Sequence, residues 1–151
     1  MVKQRLNDQF IQNWNARLNN SSRALMYKRI SNFRFQPYLD CFNINKFCQS
    51  FTRLRVSSHR LLIEAGRWVR PNNIPLDDRK CMICNKLEDE FHFIIECSIY
   101  TDLRKQYIPR KYWIRPNMLK FIELMNSENK KIVQNLGIFT FNAFKLRQST
   151  V

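Results

Sequence analysis

Apolar residues recur along this chain at helical intervals. Leu6, Phe10, Trp14 and Leu18 are spaced by four with Ile11 beside them, which predicts an amphipathic helix over residues 3–18. Asn19, Asn20, Ser21 and Ser22 end it and lead into a short segment from Arg23 to Ile30. Pro37 drives Gln36 out of the α region and breaks the order there. Asn43 then caps a helix from Ile44 to Val56, with Phe47, Cys48, Phe51 and Leu54 inward. After the break at Ser57 and Ser58, Leu61 to Ala65 forms a short helix with Gly66 as its C′ residue.

Beyond the Pro71–Pro75 connection, Glu88, Asp89 and Glu90 put negative charge where a helix would start. That helix carries His92 and ends at Cys97, and Tyr100 to Tyr107 continues helically. Pro109 and Pro116 bracket a loop. Met118 to Met125 is a helix with Met118, Phe121, Ile122 and Met125 on one face. Ser127 caps the last helix, Glu128 to Leu146, with Ile132, Leu136, Phe139, Ala143 and Phe144 inward. No strand–helix–strand alternation with glycine-rich turns is visible, and the chain has only two glycines, Gly66 and Gly137. The predicted class is mainly α, with several short helices and few or no strands. Three stretches follow from the pattern: an N-terminal helical arm (1–43), a central piece (44–107) and a C-terminal helical segment (108–151).

Residues Cys81, Cys84, His92 and Cys97 add chemistry to this frame. Their spacing, Cys-x2-Cys-x7-His-x4-Cys, is that of a zinc site. Structural zinc takes four Cys or His ligands in a tetrahedron and leaves no position open for substrate. Three thiolates and one imidazole therefore predict one structural Zn2+ that clips a CCHC knuckle. The competing reading makes Cys97 a buried helix cysteine and His92 an aromatic packed between Phe91 and Phe93. A redox role for the CxxC would call for a βαβ pattern, and none is visible. Cys41 and Cys48 are expected to be small buried residues.

Charge bears on the partner. The chain carries 26 Lys/Arg against 12 Asp/Glu, a net charge of +14. Residues 1–70 hold a net +10, residues 71–100 a net −3, and residues 101–151 a net +7. The acidic knuckle thus lies between two basic flanks, the electrostatic footprint of a nucleic-acid binder. The same surface would also suit an acidic protein. No stretch approaches the roughly 18 consecutive apolar residues of a membrane span. Five cysteines and no apolar leader at the start predict a reducing, intracellular setting, with the nucleus compatible.

The run FTRLRVSSHRLLIEAGRW, then RPNNIP, then DDRKCMICNKLEDEFHFIIECSIYTDLR, resembles the zinc-binding region that follows the reverse transcriptase domain of non-LTR retrotransposons. The likeness spans about residues 44–107. It rests on an arginine-bearing helix (Thr52, Arg53, Leu54, Arg55), a His–Leu segment ending in Glu-x-Gly-Arg, the CxxC, and a Glu-Asp-Glu-x-His-Phe helix. The resemblance implies zinc held by Cys81, Cys84, His92 and Cys97, and binding of RNA or DNA for a polymerase. The palm of such a polymerase is missing, because the one Asp-Asp pair, Asp77–Asp78, follows Pro75–Leu76 in a loop.

The expected function is therefore a zinc-stabilised nucleic-acid-binding module without enzymatic activity. Arg53, Arg55, Arg60, Arg67, Arg70, Lys111 and Arg115 are expected to meet the polyanion, and Tyr112 and Trp113 to offer stacking surface. The alternative is a structural or protein-interaction domain that docks an acidic partner or the polymerase itself.

Overall fold

The chain is described by a computed structural model over residues 2–150, and among these the regular structure is helical, with no strand. Eight α-helices follow in order: α1 (Val2–Asn20), α2 (Leu25–Ile30), α3 (Asn45–Arg55), α4 (Leu62–Ala65), α5 (Thr101–Tyr107), α6 (Arg110–Trp113), α7 (Met118–Met125) and α8 (Lys130–Thr150). The mainly α class read from periodicity is the class observed. The buried side chains form one cluster drawn from all three stretches of the chain, from Met26 and Ile30 through Phe93 and Ile94 to Phe139 and Ala143.

Its centre is the packing of α3 against α8. Phe51 and Leu54 of α3, Phe121 and Leu124 of α7, and Leu136 and Phe139 of α8 are all essentially solvent-free. Removing side chains of this size from water is worth roughly 1.5–3 kcal/mol each. Gly137 allows the close approach, since a Cβ there would lie 3.0 Å from the Phe47 carbonyl oxygen and against the Phe42 ring. Phe93 joins the knuckle to this core by stacking on Phe144, with centroids 4.6 Å apart, and meeting Tyr100 edge-on at 4.8 Å.

Several local expectations are corrected by the structure. Asn43 makes no cap: α3 begins after Ile44, without a side-chain cap bond. Asn129, not Ser127, caps α8, its Oδ1 accepting from the N–H groups of Lys131 and Ile132. The 109–116 segment contains a helical turn, α6, because Pro109 occupies a position where no N–H is needed. Gly66 has φ −59° and continues into a further tight turn, so left-handed freedom is not why glycine stands there. A Cβ at Gly66 would lie 3.0 Å from the buried Arg79 side chain, so the position serves close packing.

The first helix forms as predicted but stands apart from the core. None of its residues is fully buried, and Leu6 and Phe10 are 59% and 60% exposed. Its tie to the body includes Phe33, whose ring lies 5.5 Å from Phe10 and 5.6 Å from Trp14. No helix among the described residues is long and apolar enough to cross a membrane.

Candidate metal centre

The four ligand candidates reach one point from two local devices. The first is a tight turn. The N–H of Asn85 donates to the Cys81 carbonyl at 2.8 Å and that of Cys81 to the Lys86 carbonyl at 2.7 Å, and Asn85 takes the left-handed φ of 54° that asparagine tolerates. A single antiparallel bridge between Lys80 and Leu87 closes the base.

The second device is a widened turn. The chain enters a helix near Glu90, and Asp89 Oδ1 accepts from the His92 N–H at 2.8 Å. Residues His92–Glu96 then form a π-type turn in which the Cys97 N–H donates to the His92 carbonyl at 2.7 Å. On an α-helix, positions five apart lie about 140° around the axis from each other. The wider turn, and the exit of the chain at Cys97, let His92 and Cys97 serve one site. The structure thus replaces the expected α-helix at the second ligand pair with a π turn, a deviation often found at functional sites.

The resulting geometry fits a metal ion. The ligand atoms of Cys81, Cys84, His92 and Cys97 lie within 4.8 Å of one another. Cys81 Sγ and Cys84 Sγ are each 3.8 Å from Cys97 Sγ. A tetrahedron with metal–sulfur bonds of about 2.3 Å has an edge of about 3.8 Å. A disulfide would need about 2.0 Å, and all five cysteines are free.

The histidine supplies the second test of fit. His92 is 2% exposed, and its Nε2 is buried without a hydrogen-bond partner. An unmatched buried polar atom costs about 1–3 kcal/mol, and a metal ion held by the cluster would supply the partner that this atom lacks. Its other nitrogen, Nδ1, lies 3.3 Å from Glu96 Oε2. A proton on Nδ1, shared with the carboxylate, leaves the Nε2 lone pair free to ligate. Such carboxylate support is the usual outer shell of a metal-bound histidine. Replacing Glu96 with Ala should weaken metal affinity about 10- to 100-fold, read by competition with a chelating dye.

Electrostatics prepare the site unevenly. Burial lowers the His92 pKa, which favours the neutral imidazole that binds metal. Burial, with the neighbouring thiols, pushes Cys97 up to about 12. At Cys84 burial also acts upward, but hydrogen bonds with Ser98 and the other two thiols outweigh it and the pKa falls. Arg104, buried on α5, donates from Nε to the Ile94 carbonyl and from Nη2 to the Cys97 carbonyl, both at 2.8 Å. It fixes the exit of the π turn and places a positive charge beside the thiolates that a metal would require. Glu96 and Arg104 were not picked out from the sequence. The i,i+4 spacing of His92 and Glu96 was the available signal for the first, whereas a guanidinium serving backbone carbonyls leaves none.

The seven basic candidates for polyanion binding divide. Arg53, Arg60 and Arg70 are exposed, and Arg53 and Arg60 line one groove. Arg55 is corrected outright. It is 3% exposed, lies over the Tyr38 ring, and donates to the Met125 carbonyl and to Gln36 and Asn126. Arg67 is half-buried, paired with Glu64 at 3.2 Å and donating to the Ser22 carbonyl at 2.6 Å. Lys111 pairs with Glu123 at 2.7 Å on the surface, and Arg115 is exposed with a φ of 50°.

The proposed stacking pair is internal too. Tyr112 is buried and donates to Glu123, and the Trp113 Nε1–H donates to the Ile108 carbonyl. The acidic run is likewise not a surface. Glu88 and Glu90 are 6% and 2% exposed, and Glu90 accepts from Ser57 and meets His59 Nε2 at 2.9 Å. His59 therefore has a structural partner.

The chain matches no protein family, no curated protein and no solved structure in comparisons with known proteins.

Proposed function

We propose that the chain is a zinc-stabilised nucleic-acid-binding module, of the kind that follows the polymerase in non-LTR retrotransposons. The observation that carries the metal half is the closed Cys3His set, with sulfur spacing of 3.8 Å and an orphaned His92 Nε2. Soft thiolates with one imidazole in a tetrahedron favour zinc. With all four positions taken by protein atoms, the ion's role is to hold the turn and the widened helix together.

The nucleic-acid half rests on the net charge of +14 and on where that charge is left unpaired. Of the knuckle's acids, Glu88, Asp89 and Glu90 are spent internally on Arg147, His59 and backbone N–H groups, while Asp77 and Asp78 stay exposed in the connection before it. The surplus of Lys and Arg consequently faces solvent, where neutralising phosphates releases counterions. The sequence likeness over residues 44–107 supports the same reading.

A second reading has one observation in its favour. The exposed apolar residues of α1, Leu6 and Phe10, suit a protein partner, a role compatible with docking onto a polymerase. One experiment separates the two. Purified chain is expected to hold one zinc and to bind single-stranded RNA or DNA with an affinity that falls steeply as salt rises. Binding that is absent or insensitive to salt would overturn the nucleic-acid reading in favour of the protein-partner one.

A further inference from the structure

A concavity lies away from the candidate metal centre, between α3, α4 and α8. It is an open groove of about 960 Å³. Five cations line it: Arg23, Lys46, Arg53, Arg60 and Lys145. All five are exposed, and among the described residues none has a carboxylate partner. The one acidic side chain in the lining, Glu64, is occupied by Arg67 and by the Ala24 N–H. Arg147, also in the lining, is already held by Glu88. Local pairing therefore neutralises the groove's only anion and leaves five charges of one sign converging on one trough.

The groove also offers aromatic surface. Trp68 is 55% exposed on its rim, and the Arg23 guanidinium sits 4.6 Å from its ring centroid. At the start of α3 the half-buried Phe141 ring carries Lys46 and Lys145, at 5.1 and 4.6 Å from its centroid. Lys46 and Arg53 are seven residues apart on α3, two turns along the same face and about 10 Å from one another. Charges spaced along a trough with a flat ring at its edge match a sugar-phosphate backbone whose bases are free to stack.

From this arrangement we propose that the groove between α3, α4 and α8 is the binding track for a single-stranded nucleic acid. The phosphates lie against Arg53, Arg60, Lys46 and Lys145, and a base stacks at Trp68. The inference rests on the nucleic-acid reading above and adds its location, its strandedness and its stacking residue. A duplex keeps its base faces covered, so it would gain nothing from Trp68.

The test uses full-length, zinc-loaded chain and a labelled 12-nucleotide oligo(U), with a duplex of equal length, a mononucleotide and polyglutamate as competitors. Arg53→Gln with Lys145→Gln should weaken oligo(U) binding at least tenfold. It should also reduce the salt slope by about 1.4, since each phosphate contact on a single strand contributes about 0.7. Trp68→Ala should cost about 5- to 100-fold and abolish tryptophan quenching on binding. A control pair outside the groove, Arg110→Gln with Lys131→Gln, removes the same charge and should change affinity less than threefold; all variants should melt with the parent.

Equal losses from the two pairs would overturn the groove while leaving the nucleic-acid reading intact. So would duplex binding as tight as single-strand binding with Trp68→Ala silent. Competition by polyglutamate as effective as by oligo(U) would overturn the groove's assignment to nucleic acid. Failure of the parent chain to bind any nucleic acid would remove both proposals together.

Discussion

Stripping the metal, or replacing Cys84 with Ser, should collapse the middle of this protein. Two peptide segments meet at the four candidate ligands. The turn at Cys81–Asn85 rests on two backbone hydrogen bonds and one bridge. The π turn at His92–Glu96 is a less stable form of helix and needs an external constraint. Binding free energies of about 10–16 kcal/mol are typical for structural zinc in small fingers, as large as the whole stability of an ordinary domain.

The damage will spread, because Phe93, Ile94 and Ile95 sit in that turn and in the main core at once. Loss of even about 5 kcal/mol corresponds to a fall of about 10–20 °C in Tm at this chain length. The expected result is one zinc per chain by metal analysis, a large drop in Tm and helicity on chelation, and the same drop for Cys84→Ser without chelator. Acid should act in the same direction. In the metal-free fold Cys97 keeps its proton up to about pH 12, so the ion must displace a proton there. Metal affinity therefore rises with pH, and lowering the pH returns protons to the thiolates and His92 and expels the ion. A Cys84→Ser variant that keeps its helicity, its Tm and its metal would show that the ligand set is wrong.

How far the sequence could be read depended on whether the relevant partners were local. The four candidate ligands all fall between Cys81 and Cys97, and their spacing alone marks them as one group. Periodicity likewise placed Phe51, Leu54, Phe121, Leu136 and Phe139, because a helix repeats its own inward face. It contained the answer for Arg55 as well. Arg55 is four residues after Phe51 and so shares the buried face, whereas Arg53 points off it. Charge alone groups the two, and the helix separates them.

Other features need the tertiary fold. Arg23 and Lys145 reach the groove of Arg53 and Arg60 from distant segments, and nothing in the sequence around either announces this. The acids Glu88 and Glu90 resemble a solvated helix start until their partners at Arg147 and His59 are seen. The π turn leaves no mark in a pattern of apolar residues, since Phe91, Phe93, Ile94 and Ile95 fit an α-helix equally well.

Replacing Arg147 with Met should destabilise the fold by about 3–5 kcal/mol, the range for leaving a buried charge without its partner. Arg147 grips Glu88 with two hydrogen bonds, Nε to Oε1 at 2.7 Å and Nη2 to Oε2 at 2.9 Å. Their side chains are 14% and 8% exposed, so water screens the pair little. Glu88 also accepts from the Leu62 N–H at 2.8 Å, and its carbonyl takes the Ile63 N–H at 3.1 Å. One carboxylate thus ties the end of α8 and the start of α4 to the knuckle, and with them two walls of the basic groove.

With Arg147 gone, the Leu62 N–H alone would face a buried negative charge. Glu88→Gln together with Arg147→Met removes that charge as well, so the double variant should recover part of the loss. Denaturant melts of the parent, the two single variants and the double one measure this coupling. If Arg147→Met unfolds at the parent's midpoint, the pair is a surface contact in solution and α8 is anchored by its apolar face alone. If the double variant is no more stable than Arg147→Met, the penalty comes from lost packing of the arginine stem. The expected cycle has a positive coupling of about 2 kcal/mol or more, within the range for residues in direct contact.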